Sequence, residues 1–156
     1  MTLATSALLA ATVSSALACG ATLDQTFKQL PARHQIGATA YAAYVRAADL
    51  RNGLIWYPII GISTTLLCLA AVVTGLLDHP SASHTAALVT LALGTIVFTA
   101  GTARAAPTLL TLRTSEVTDA TAQATLNRFA RFNAIRAVGI AVTLTASVWA
   151  LVASIS

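Results

Sequence analysis

The stretch "GLIWYPIIGISTTLLCLAAVVTGLL", Gly53 to Leu77, carries no charge from end to end. It exceeds the ~20 apolar residues that cross a hydrocarbon core as a helix. Only a helix or a closed barrel satisfies its backbone hydrogen bonds in lipid, and a run of this length reads as a helix. Working outward, three more uncharged runs appear: Thr2 to Leu23, Thr85 to Ala103 and Ala137 to Ser156. The four predict spans over about 2–23, 54–77, 83–104 and 133–155. The expected fold is all-α, a single transmembrane domain built as a four-helix bundle. Composition agrees: 56% of the residues are hydrophobic and 9% charged, against about 25% charged in soluble domains.

The first run lacks a basic n-region, and in "ALACG" the large aliphatic Leu17 stands two rather than three places before Cys19. A retained helix is the better reading than a cleaved leader. All nine basic residues lie between runs one and two or between runs three and four, and the segment 78–84 has none. The positive-inside rule then places the basic end in the cytoplasm of a multi-pass cell-membrane protein, with both termini outside. The net charge of +4 serves orientation and contact with anionic head groups, not nucleic acid. The expected partners are the bilayer and, as candidates, a lipophilic small molecule and a second copy or another membrane subunit.

Cys19 and Cys68 stand at depths about 15 Å apart, too far for a disulfide, and form no CxxC pair. "DHPSASH", with His79 and His84, reads as a solvated turn rather than a metal site. No metal or haem motif occurs, and no cofactor is expected. No acid or base stands mid-span, which argues against a charged filter, a proton relay or a voltage sensor.

Chemistry is therefore sought in the two basic connections. Residues 32 to 51 read as one helix at the membrane surface. Arg46, Asp49 and Asn52 fall on one stripe of it, and Trp56 and Tyr57 read as interfacial anchors beside Pro58. Pro107 is expected to end or kink the third helix. "TSEVTD" reads as a turn with Asp119 as a candidate N-cap. From Ala120 a helix runs into the fourth span, with Phe129, Asn133 and Arg136 on one face. Asp49 and Asn52 are expected to meet Asn133 and Arg136, with Asp24 and Gln25 at the same level.

"DQTFKQLP…IGATAYAAYVRAADLRNGLIWYP", followed late in the chain by "NRFARFNAIRA", resembles the anthrone-oxygenase-like family of small four-span membrane proteins. The resemblance implies a polar cluster of Asp24, Asp49, Asn52, Asn133 and Arg136, and oxidation of a flat lipophilic molecule without a cofactor. In that reading Asp49, His34 or Asp24 is the base, and Arg136 and Asn133 hold an anionic oxygen. Gln25, Arg46, Asn52, Trp56 and Tyr57 complete the candidate binding residues. The alternatives are a lipid- or quinone-binding protein without chemistry, a partner subunit of a membrane assembly, and a set of ion pairs that only settles the membrane boundary.

Overall fold

A computed structural model describes residues 2–78, 80–113 and 118–154, and all side chains among them except that of Asn52. Among the described residues six α-helices follow in order: α1 (Leu3–Asp24), α2 (Leu30–Ile36), α3 (Ala38–Ala47), α4 (Gly53–Leu77), α5 (Ala82–Leu110) and α6 (Asp119–Ala153). Two π-helical turns, Gln25–Gln29 and Ala48–Asn52, join α1 to α2 and α3 to α4. A short 3-10 turn, Thr111–Arg113, extends α5. The described residues form no strand.

Three helices start on a hydroxyl cap. The Thr2, Ser81 and Thr118 side chains accept from the amides of Thr5, His84 and Thr121. Each satisfies a donor that has no partner within its helix. Thr118 thus takes the capping place expected of Asp119, whose carboxylate instead accepts from the Thr39 hydroxyl at 3.1 Å. Of the expected "TSEVTD" turn, residues 114–117 lie outside the described residues.

Four helices are long and apolar enough to cross a membrane: 3–36, 53–77, 82–113 and 119–153. Burial supports the same conclusion. Leu66, Leu69, Val73, Leu93 and Ile96 are exposed on the outside, whereas Ser15, Thr64, Thr95, Thr143 and Ser147 are buried. Apolar residues outward and small hydroxyls inward is the arrangement lipid favours. The chain is a multi-pass helical membrane protein.

The helices pack in cyclic order α1, α4, α5, α6. The α5–α6 edge is the tightest, because glycines line it. A Cβ on Gly139 would meet the Phe98 backbone, and one on Gly101 the Arg136 backbone. The α4–α5 edge is the loosest of the four, and a cleft opens there.

Between the first two spans the structure departs from one helix over 32–51. Gly37, at φ +87°, breaks it, and Gly tolerates that conformation without the Cβ penalty. The preceding segment α2 continues α1, while α3 folds back over the basic end of the bundle. Its Tyr41, Ala42 and Val45 are buried with Leu112, Leu126 and Phe129. Arg33 ties α2 to α6, donating to the Leu126 carbonyl at 3.3 Å and to Asn127 Oδ1 at 3.2 Å. Pro107 neither ends nor breaks α5, which runs through it to Leu110.

Candidate functional site

The site is built by the two π-helical turns and by α4 and α6. In a π turn the amide bonds five residues back: Leu30 to the Gln25 carbonyl, Gly53 to the Ala48 carbonyl. Such turns are rare and tend to occur at functional places. One presents Gln25 and Thr26, the other Asp49. Gln25 and Asp49 are both buried.

A continuous chain of hydrogen bonds joins them. The Tyr57 hydroxyl donates to Asp49 Oδ1 at 3.2 Å. Gln25 Nε2 donates to Asp49 Oδ2 at 3.4 Å, while Gln25 Oε1 accepts from Arg136 Nη2 at 2.5 Å. The same Nη2 donates to Asn133 Oδ1 at 2.6 Å, and Asn133 Nδ2 donates to Thr26 Oγ1 at 2.8 Å. Gly53 makes the Tyr57 contact feasible. A Cβ there would stand 2.8 Å from the Tyr57 ring, so only glycine lets the ring fold back toward Asp49.

Gln25 therefore separates acid from cation. Its donor end faces the carboxylate and its acceptor end the guanidinium, so Asp49 and Arg136 share one amide and make no ion pair. Burial pushes the Asp49 carboxyl above its ordinary value; the hydrogen bonds from Tyr57 and Gln25 and the nearby Arg136 charge pull the other way. Burial is the largest of these. A carboxylate held this way is a stronger base than a solvated one.

The cluster closes one end of a cleft of about 550 Å³, within the usual range for small-molecule sites. Its walls are apolar, with Ala18, Leu54, Ile60 and Phe98, and Tyr57 and Phe129 add aromatic faces. The lining residues Pro58, Ile62 and Leu66 on α4, and Thr99, Ala103, Ala106 and Leu110 on α5, are exposed stripes. The cleft thus opens sideways between α4 and α5, on the face that lipid covers. At mid-depth the Thr65 and Thr99 hydroxyls bond across it at 3.1 Å.

The structure brings together Gln25, Asp49, Tyr57, Asn133 and Arg136. Four other candidates stand elsewhere. Asp24 points away and pairs with Lys28 at 2.8 Å, also accepting from Gln29 at 2.6 Å. His34 is exposed on α2. Arg46 turns to the Leu112 carbonyl, to which its Nε donates at 2.6 Å, so it fastens α3 to the end of α5. Trp56 is 64% exposed on the outer face of α4, away from the cleft. Asn52 has its backbone in the second π turn, and its side chain lies outside the described residues. Thr26 belongs to the cluster although the sequence reading passed over it. Its place in the turn after Gln25, facing Asn133, follows from the π geometry and from no motif.

Fold and site together define a four-span membrane protein with a lipid-facing cleft that ends on a buried acid and a half-buried cation. Comparison with models of protein families, with curated proteins and with solved structures finds no match.

Proposed function

We propose that the protein binds a flat, lipophilic, anthrone- or quinone-like molecule in the α4–α5 cleft and oxidises it with dioxygen. The observation that carries this reading is the pairing of an apolar cleft open to lipid with Asp49, a buried carboxyl whose proton affinity burial raises. The family resemblance in the sequence supports the choice of an anthrone-type reaction.

The chemistry needs only an activated C–H and dioxygen. The Asp49 carboxylate takes a proton from a ring methylene beside a conjugated carbonyl, and the ring system delocalises the electron pair. The anion reduces dioxygen, a C–O bond forms, and the proton returns to give a hydroperoxide. Loss of the second C–H with cleavage of O–O yields a carbonyl and water. The methylene gives up four electrons, and dioxygen becomes one carbonyl oxygen and one water. Tyr57 and Gln25 position the carboxylate, and the apolar walls hold the ring.

The test is dioxygen uptake with an anthrone by the full chain in lipid nanodiscs. Wild type is expected to consume one dioxygen per anthrone, and Asp49→Asn to lose roughly a hundredfold or more in rate. Uptake equal in the two proteins sinks the assignment of Asp49. Binding of the aromatic without uptake leaves a binding protein and removes the oxygenase.

A further inference from the structure

Arg136 has more donors than the chain uses. Nη2 serves both Gln25 and Asn133. Nε is buried without a hydrogen-bond partner. Among the described residues Nη1 has none either, and no acid forms an ion pair with the guanidinium. The residue lines the cleft, at the end where Asp49 and Gln25 also stand. A half-buried cation that makes no direct ion pair, with one of its donors buried and unmet, is costly, and natural structures seldom leave one so. Asn133 does not fill the need, since its acceptor already takes Nη2 and its donor goes to Thr26. Asp49 does not either, because Gln25 stands between.

We propose that the molecule bound in the cleft is an acidic lipophile, ionised when bound, whose oxygen anion seats against Nη1 of Arg136. This rests on the reading of the cleft as a site for a lipophile and specifies which lipophiles it takes. A phenolate or enolate on a flat ring system and the carboxylate of a fatty acid share the needed chemistry, a charged oxygen on an apolar body. The seat selects against the neutral ether or ester of the same shape, which brings an apolar group to an unpaired cation. Gln25 has a purpose in this arrangement. Holding Asp49 off the guanidinium leaves the positive charge for the ligand. It also keeps the carboxylate from being neutralised by a direct pair.

The experiment uses the full chain in nanodiscs with two probes, a hydroxyanthraquinone and its methyl ether. The ionised phenol absorbs at longer wavelength than the neutral one, so the bound state is read directly. In wild type the bound phenol is expected to show the ionised spectrum at a pH where it is neutral in solution. Its affinity should exceed that of the ether by roughly tenfold to a hundredfold, the worth of a charge-assisted hydrogen bond. Arg136→Gln should remove that preference. If Arg136→Gln does not fold, Arg136→Lys keeps the charge and should retain a reduced preference, and the wild-type comparison stands without either variant. Equal affinity for phenol and ether, or a bound phenol with the neutral spectrum, overturns the proposal. Wild type binding neither probe overturns the underlying reading of the cleft, and the proposal with it. Displacement of the phenol by palmitate in an Arg136-dependent way supports the anion seat and assigns it to a linear carboxylate. Failure of palmitate to displace supports the flat phenol.

Discussion

Gly139→Ala places a methyl group in the α5–α6 contact, three residues from Arg136. A Cβ there would lie 2.8 Å from the Phe98 Cα and 2.9 Å from the Val97 carbonyl carbon. Nonbonded carbons prefer about 3.5–4.0 Å, so the two backbones must part by roughly 0.7 Å. Backbone atoms of packed helices cannot rotate aside as a side chain can. Overpacking of this kind costs about 1–3 kcal/mol, offset in part by about 0.5–1 kcal/mol from replacing a helical glycine. A net loss of about 1–2 kcal/mol lowers Tm by roughly 2–8 °C for a chain of this size. The site should feel it as well. Phe98 lines the cleft and Arg136 stands one turn before the glycine, and a displacement near 1 Å can cost about a hundredfold in a positioned reaction. The assay is thermal unfolding in detergent together with affinity for the phenolic probe, with Gly20→Ala as control. A Cβ on Gly20 would meet nothing within 4 Å, so that variant should melt at or slightly above the wild-type temperature. If Gly139→Ala melts and binds like wild type, close approach of α5 and α6 is not what positions the site.

Three further outcomes follow from the cluster and the topology. Gln25→Glu removes the donor to Asp49 and sets a second carboxylate beside it; the acid limb of turnover should therefore move to higher pH, and a limb that stays or moves down contradicts the role given to Gln25. Asp49 holds its proton more tightly in the folded chain than in the unfolded one, so stability should fall as pH rises from the ordinary carboxylate value through the raised one. Denaturation across that window should show the slope in wild type and not in Asp49→Asn; an identical slope in both rules out Asp49 as its source. With Cys19 and Cys68 replaced, Ala82→Cys should react with an impermeant thiol reagent in intact cells, as the basic-end-inside orientation requires. Labelling only after lysis reverses that orientation.

The spans were legible because lipid leaves the chain few choices. The second run was expected over 54–77 and α4 spans Gly53–Leu77; the long helix expected from Ala120 is α6, Asp119–Ala153. Pro107 does not end α5 because its missing amide frees only one carbonyl, that of Ala103, and an exposed turn at the helix end tolerates the loss. Thr108 and Thr111 bond back onto the Arg104 and Thr108 carbonyls there. Asp24 and Gln25 show a different limit. They are adjacent, and depth alone cannot say which faces inward. Lys28, four residues after Asp24, was the available signal: an i, i+4 ion pair belongs on a wet face, which leaves the amide to turn in.

The stripe on the first connection failed for a separate reason. A stripe of Arg46, Asp49 and Asn52 assumes 3.6 residues per turn, and the chain takes a π turn over Ala48–Asn52. The extra residue in that turn shifts the faces that follow by about 100°. Arg46, before the turn, faces the Leu112 carbonyl, and Asp49, within it, faces Gln25. Gln25 sits in the other π turn, so the central hydrogen bond of the cluster joins two distortions of the same kind. Neither "QTFKQ" nor "ADLRN" contains a glycine or proline to announce one. What selects them is tertiary. In each turn a buried polar side chain finds a partner that lies on another helix: Gln25 on Arg136, Asp49 on Tyr57. In a low-dielectric interior, leaving either group unpaired costs about 1–3 kcal/mol. The helices deform where that deformation satisfies the acid, the amide and part of the guanidinium. The donors of Arg136 that no side chain meets are the ones left facing the question of a ligand.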